Sequence, residues 1–526
     1  MTFRQLPFLV FAFLLPAALV AQEVKPAKVD LGIPAELAAR KGPDGITYAE
    51  AYKRALIYGP GSIHINQRIV DILLETQLKR MKAAGMDVSR AQIAEDAISA
   101  RINQKIAEFK AQQPEIDFWV AVLALGFTEA QYRSQQRVQM AVDDLFFPID
   151  PEQWPLEILQ EAFQAGDANS LWDSWVLPMH EQLKSAAPEE RSRPSDDSMY
   201  QMILRPAVMH HLLTLSTVEE PFHGLPEGIC LRVDGRDIPT DAMYTQIAHL
   251  IGPVEKERAT TWVDLNWAVQ KSLAESDILL SREEVLAMIA DEMKEYEGSP
   301  ISYEQVVLQY LGFPSMQAWR EFFRMRMSFR RSLPDPFPDD MMREHYRQRR
   351  SFLADGKVEA EVIMFSAQDL LTRTFPRSGD PFGDARKRAD AAAAELAADA
   401  SWSSVLVKYS DYPDTYPGAY AEQPQPRNGR FEMLGLNPLG EFLGESQYVN
   451  FLTGKSLAEH MFFRAEEGTI YGPAQGAIGW FIYKVNRREQ GNRELDPEGS
   501  ERQAFLIGDD LLNVRFNAFV DGVMGK

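Results

Sequence analysis

The sequence predicts an α+β protein, in which a compact unit of strands and helices follows a long, mainly helical part. Residues 358–365 and 472–485 carry apolar and β-branched side chains in alternation or in short runs bounded by turn residues, which is typical of strands. Between them, residues 384–400 are Ala-rich without Pro or Gly, and Ser401 precedes a second helical segment. Most of the chain before and after this stretch has helical spacing of its apolar residues.

Length and charge limit the classes of function. The chain has 526 residues, 45% hydrophobic and 25% charged, as in ordinary globular proteins. At roughly 100–200 residues per domain, this length predicts about three domains. The net charge of −21 opposes binding to nucleic acid or to an anionic membrane surface, so we expect neither as a partner.

Residues 1–21 have the pattern of a secretory signal. Arg4 stands near the start, and the apolar run 6–21 is shorter than the roughly 20 residues that span a bilayer. Small residues up to Ala21 offer cleavage points. We predict a cleaved signal and a periplasmic or otherwise extracytoplasmic protein with no integral membrane segment after cleavage. An uncleaved membrane anchor is the alternative.

A single cysteine excludes an intrachain disulfide framework. Cys230 lies in the apolar, strand-like segment 228–233. We therefore predict a buried, inert thiol rather than a reactive one, and stability that comes from apolar cores.

Residues 45–145 predict a helical unit with short turns. The apolar spacing of residues 65–84 stops at Gly85, and residues 89–92 and 128–131 have the sequence of capping boxes. The same arrangement recurs about 190 residues later, where residues 281–284 again form a capping sequence. We predict an internal duplication. The alternative is that two unrelated series of amphipathic helices with similar caps have some identical residues by chance.

Two further helices are predicted in the C-terminal half. One begins at Asp339 and Asp340, after the Pro-rich segment 334–338, and reaches about Leu353. The other lies near residues 501–524 and must bury an apolar face. That face consists of Leu512, Phe516, Phe519, Val520 and Val523.

The strand-containing stretch resembles a parvulin-type peptidyl-prolyl isomerase domain, with its strand-helix-helix-strand-helix-strand order. The pieces that carry the resemblance are residues 409–413, 428–431, 468–473 and 479–485. Parvulins carry a His on the first strand, another on the last, and an Asp or Cys after the second helix. Those positions fall on Val362, Phe481 and Tyr412, with Asp411 as the alternative register for the third. The resemblance therefore implies a prolyl-peptide site that has lost its polar groups.

The helical units resemble the N-terminal chaperone domain of SurA-type periplasmic folding factors. The opening of the second unit at Asp234-Gly235 and Ile238-Pro239, followed by a long helix and capped helices, carries this resemblance. It implies that the C-terminal helix returns to complete the helical units, with dimerisation as the competing use of its apolar face. The predicted division is 1–21 signal peptide, 22–227 first helical unit with extension, 228–356 second helical unit, 357–490 parvulin-like domain and 491–526 C-terminal helix.

These resemblances predict an exported chaperone or holdase that binds unfolded or proline-containing polypeptide segments, with a degenerate parvulin-like domain. The alternative is an active prolyl isomerase, since unaided X-Pro isomerisation takes tens to hundreds of seconds. No cofactor or metal is expected, because the sequence has no P-loop, no His-Glu-x-x-His and no Cys pair. The side chains expected to line a peptide site are Met433, Met461, Phe462, Phe463 and Phe481.

Overall fold

The computed structural model describes residues 31–114, 116–164, 172–192, 194, 200, 205, 208, 216–296, 301–370, 372, 374–412, 429–493 and 501–525. The predicted signal segment, Pro413 and Asn428 lie outside these residues.

A first series of helices occupies residues 35–146. Its members are α1 (Ala35–Ala39), α2 (Tyr48–Tyr58), α3 (Ser62–Ala83), α4 (Glu95–Gln112), α5 (Phe118–Ala124) and α6 (Glu129–Phe146). The capping box at Thr128 is confirmed, since its side chain accepts from the Gln131 amide and the Gln131 side chain accepts from Thr128. The end of α3 before Gly85, which has φ of +78°, is also as predicted.

The capping box predicted at Ser89 is wrong. Residues 89–91 form a single 3-10 turn, and α4 begins only at Glu95, after Ala94. The Asp87 carboxylate accepts the Ser89 amide at 2.9 Å, so a turn forms where the helix was expected to start.

A short sheet separates the two helical series. After α7 (Leu156–Gln164) and α8 (Leu177–Ser185), three strands pair antiparallel in the order β1 (Val218–Glu219), β2 (Ile229–Val233) and β3 (Arg236–Pro239). Cys230 lies in β2 with no exposed surface, and burial raises the pKa of its thiol to about 12. The predicted burial of this cysteine is confirmed, and the raised pKa agrees with a thiol of low reactivity.

A second series of helices follows the short sheet. Its members are α9 (Thr240–Ile247), α10 (Pro253–Glu275), α11 (Arg282–Lys294), α12 (Tyr303–Gln305), which continues as a π-turn over Val306–Tyr310, and α13 (Met316–Arg330). Ser281 caps α11 through the predicted capping box. In both series a short helix precedes a long one, but helix order alone does not establish common origin, so the duplication stays a prediction.

The two series share one apolar core. Helix α2 packs on both α9 and α10, and the rings of Tyr48 and Trp267 meet edge to face at 5.3 Å between centroids. The core is therefore continuous across residue 227, where the sequence predicts a domain boundary.

The C-terminal helix packs back onto this helical part. Helix α14 (Asp339–Leu353) begins and ends where the sequence predicts, and α20 (Glu501–Met524) lies against α10, α13 and α14. Leu512 packs with α14, whereas Phe516 and Val520 join the core of the two series. The apolar face of the last helix is thus covered by this chain itself.

The strand-containing unit forms a four-stranded antiparallel sheet in the order β5-β4-β7-β6. Its elements are β4 (Lys357–Ser366), α15 (Pro381–Ala397), α16 (Trp402–Tyr409), β5 (Arg430–Leu434), α17 (Leu436–Phe442), α18 (Gln447–Thr453), α19 (Leu457–Glu459) with a π-turn over His460–Arg464, β6 (Ile470–Gln475) and β7 (Gly479–Glu489). Together with the helices this makes the predicted α+β class.

The closing strand predicted at 472–485 is instead a hairpin of β6 and β7. The Gly476 amide donates to the Gly479 carbonyl at 2.9 Å and closes the turn. A Cβ at Gly476 would lie 2.6 Å from the Phe481 ring, so this tight turn requires glycine.

The two faces of the sheet are covered by different helices. Ile363, Phe365 and Ile482 pack under α15 and α16 on one face. Their strand neighbours Val362 and Phe481 pack under α17 and α19 on the other face. Alternate side chains of β4 and β7 therefore pack into two different apolar layers, one on each face of the sheet.

Candidate functional site

The three parvulin-like positions lie on one face of the sheet. Val362 on β4 pairs with Tyr483 on β7, and Phe481 pairs with Met364, so both point into the layer under α17 and α19. Tyr412 follows α16 and belongs to the same layer. Val362 and Phe481 are 0% exposed and Tyr412 is 5% exposed. The structure brings these positions together as a closed apolar core.

The hydroxyl of Tyr412 already has a partner. It donates to the Phe442 carbonyl at 3.0 Å, and the Tyr412 ring meets Phe431 edge to face at 5.5 Å. The neighbouring Asp411 carboxylate accepts from the Ser366 amide at 2.7 Å and from the Arg388 guanidinium. Asp411 is thus held at the end of β4, and Tyr412 is the residue that faces the core.

The five predicted peptide-lining side chains are placed at different depths. Met461, Phe462 and Phe481 are buried in the layer under α17 and α19. Phe463 is half-buried beneath the Arg349 guanidinium, 4.3 Å from its ring centroid. Met433 is also half-buried, and its sulfur accepts from Arg487 at 3.4 Å. A peptide could reach Met461, Phe462 or Phe481 only if this layer opened, so their role stays a prediction.

A polar trio beside this layer was missed by the sequence analysis. The Tyr483 hydroxyl lies 2.9 Å from Nδ1 of His460, and the Tyr471 ring stacks on Tyr483 at 5.6 Å. Burial lowers the pKa of His460, with Arg464 and Arg488 adding to the effect, and burial raises the pKa of Tyr483 to about 12. Both groups are therefore neutral at pH 7, and their hydrogen bond is between uncharged partners.

Strand alternation could have found one member of this trio. Tyr483 stands two residues after Phe481 and so faces the same layer. His460 comes from a π-turn that helical spacing does not predict, and nothing in the sequence links it to β7.

Comparisons with known proteins give a limited result. No protein-family model and no curated protein matches this sequence. Similar solved structures include PrsA peptidyl-prolyl isomerases. That from Bacillus cereus is 13% identical, covers 56% of this chain and 90% of its own, and has a TM-score of 0.20. That from Bacillus anthracis is 11% identical, covers 50% and 95%, and has a TM-score of 0.20.

The PrsA structure from Bacillus subtilis is 15% identical, covers 56% of this chain and 90% of its own, and has a TM-score of 0.16. TM-scores this low do not establish a common fold, so the function rests on the geometry of this chain. The SurA-like resemblance stays a prediction.

The described residues contain neither a cluster of potential metal ligands nor a candidate membrane-spanning helix. Across the described ranges, no three His, Cys, Asp or Glu side chains converge as metal ligands would. Within those ranges, too, no helix combines the length and the apolar character needed to cross a membrane. The expected absence of a metal and of a cofactor stays a prediction.

Proposed function

We propose that this protein is an exported folding factor that binds unfolded or proline-containing polypeptide segments and has little or no isomerase activity. The observation that supports it is the closed apolar layer around Val362, Tyr412 and Phe481. Isomerase catalysis requires interactions that are stronger with the twisted amide than with the planar one. Val362 and Phe481 offer no hydrogen bond, and the Tyr412 hydroxyl is taken by the Phe442 carbonyl.

Binding of unfolded segments needs accessible apolar surface rather than an acid or a base. Helix α5 offers such a surface, because Val120 and Leu123 are 48% and 43% exposed on one short helix. The extracytoplasmic location belongs to the same proposal and rests on the signal-like sequence of residues 1–21.

The test is to dilute a chemically denatured client protein into buffer with an equimolar amount of the purified protein. We expect light scattering from client aggregation to fall, and the rate of isomerisation of an Xaa-Pro peptide by the same preparation to stay near the uncatalysed rate. Unchanged scattering would remove the holdase function.

Two variants show whether client binding depends on α5 or on any exposed apolar side chain. Val120→Ser with Leu123→Ser should weaken the suppression of aggregation. The matched control is Val407→Ser, which removes a 78% exposed side chain from α16 in the sheet domain. Equal loss in both variants would contradict a role for α5.

One observation favours the second candidate function, an active isomerase. The Tyr483 hydroxyl and His460 supply polar groups on the same layer as Val362, although not at the positions that the family resemblance implies. A rate well above background that Tyr483→Phe abolishes would make the protein an enzyme with an altered site.

A further inference from the structure

A cleft lies where the two helical series meet. Helix α2 supplies Arg54 and Tyr58, α10 supplies Trp262, Asn266 and Trp267, and α13 supplies Glu321. Tyr448 of the sheet domain closes one side. The cleft is therefore built from parts that are distant in the sequence, and it lies outside the layer around Phe481.

Two hydrogen-bond donors in this cleft have no partner among the described residues. Asn266 is only 8% exposed, and its Oδ1 accepts from Gln270 Nε2 at 2.6 Å, which fixes its Nδ2 as the opposite, unpaired donor. Nε of Arg282 is likewise buried and unpaired, while its Nη2 lies 3.5 Å from the Asp44 carboxylate. A buried donor without an acceptor is unfavourable, so the cleft is suited to a ligand that carries acceptors.

The charges around the cleft select a neutral acceptor. Two carboxylates, Asp44 and Glu321, stand beside two guanidinium groups, Arg54 and Arg282. The charge of Arg54 is already paired, since its Nε donates to Glu50 and its Nη2 lies near the carbonyls of Leu225, Pro226 and Ile229. An anionic ligand would face the carboxylates of Asp44 and Glu321 as well as the guanidinium of Arg282.

The walls beside these donors are aromatic. Trp262 and Trp267 line the cleft from α10, five residues apart in the sequence with Asn266 between them, and each is 9% exposed. A flat apolar side chain could lie against an indole while a neighbouring carbonyl accepts from Asn266. Main-chain carbonyls next to apolar side chains are the repeating chemistry of an extended polypeptide.

We infer that this cleft binds an extended, uncharged polypeptide segment of a client, with its main-chain carbonyls accepting from Asn266 and Arg282 and an aromatic or proline side chain against Trp262 and Trp267. This inference rests on the proposed function and names the place where part of the client is held.

The test uses the full-length protein and a fluorescently labelled, uncharged peptide rich in Phe and Pro, with binding followed by anisotropy. Asn266→Leu removes the unpaired donor at similar size, and we expect the dissociation constant to rise about tenfold, which equals about 1.4 kcal/mol. Asn103→Leu, an exposed substitution on α4, is the matched control and should leave binding unchanged. A melting curve for each variant shows whether it is folded.

A second variant keeps the inference falsifiable if Asn266→Leu does not fold. Arg282→Lys retains the charge beside Asp44 but removes Nε as a donor, and it should also weaken binding several-fold. Affinities within twofold of the Asn103→Leu control in the folded variants would overturn the cleft assignment. Equally tight binding of a peptide with several Asp residues would also overturn it, because the charges at the cleft oppose an acidic segment.

The aggregation assay separates this inference from the proposed function. If the wild-type protein suppresses aggregation but both cleft variants bind the peptide normally, the function stands and the cleft assignment falls. If the wild-type protein binds the peptide through Asn266 and Arg282 but leaves aggregation unchanged, the cleft assignment stands and the holdase function falls.

Discussion

The apolar layer around Phe481 and the cleft between the helical series differ in what they leave unpaired. On the sheet, Val362 and Phe481 are completely buried, and the Tyr412 hydroxyl donates to the Phe442 carbonyl. In the cleft, Asn266 and Arg282 each keep a buried donor without a partner among the described residues. A resemblance to an enzyme domain points to the first region, whereas hydrogen-bonding capacity points to the second. Under the inference made above, unpaired donors mark a binding region that the resemblance to a parvulin domain does not indicate.

The largest expected effect comes from removing the C-terminal helix. Truncation after Gln490 uncovers the partners of several buried side chains of α20, among them Ile507, Leu511 and Phe516, each of which contributes roughly 1.5–3 kcal/mol. We expect the helical part to unfold at a much lower temperature while the sheet domain keeps its protection. Hydrogen exchange by mass spectrometry resolves the two regions, and equal loss of protection in both would contradict this division.

The next effect tests whether the sheet layer is a core or a binding surface. Phe481→Ala should destabilise the sheet domain by about 3–5 kcal/mol, because the side chain has no exposed surface. Denaturant unfolding measures this, with Met433→Ala as a half-buried control. A variant that keeps its stability but loses peptide affinity would show that the layer opens to bind.

Lowering the pH should reduce the stability of the contact between the two helical series, because protonation of His64 opposes folding. Its Nε2 lies 2.9 Å from the Gly126 carbonyl, His249 contacts the same oxygen, and burial lowers the pKa of His64 to about 4. The unfolded chain, with a pKa near 6.5, binds the proton first, so stability falls as the pH drops from about 6.5 to about 4.

We expect this loss to reach about 1–3 kcal/mol and to shrink in His64→Gln, which cannot be protonated. Comparing the two proteins at each pH isolates His64 from carboxylates elsewhere, including Asp510. Parallel stability curves for wild type and variant would show that His64 does not titrate in this way.

The smallest effect concerns the polar trio on the sheet. Tyr483→Phe removes the hydroxyl that lies 2.9 Å from His460 and should cost about 0.5–1.5 kcal/mol of stability. Under the proposed function the rate of Xaa-Pro isomerisation does not change. His460→Gln provides the companion measurement from the other side of the hydrogen bond.

Local chemistry made some of these features predictable from the sequence. Thr128, Ser281 and Ser401 start helices because each side chain accepts an amide three residues ahead. Ser89 has the same local pattern, but Asp87 takes its amide, and a four-residue pattern does not include that competitor.

The cleft could not be predicted in this way. Its donors, Asn266 and Arg282, stand on different helices, and the walls come from α2, α10 and α13. The apolar face of the last helix predicted that this face is buried, but it did not predict which helices cover it, since any complementary apolar surface could do so. Side-chain pairing across distant segments is decided by packing, which sequence spacing does not encode.

The contact between α20 and the helical series sets the order in which the chain can fold. Phe516 and Val520 complete a core that begins with Tyr48, and Asp510 accepts from Arg349, which also bonds Glu459 of the sheet domain. A chain synthesised from its N-terminus therefore completes this core only after α20 has emerged. The sheet domain lies between these segments and can close earlier, so the helical part exposes apolar surface until α20 has been made.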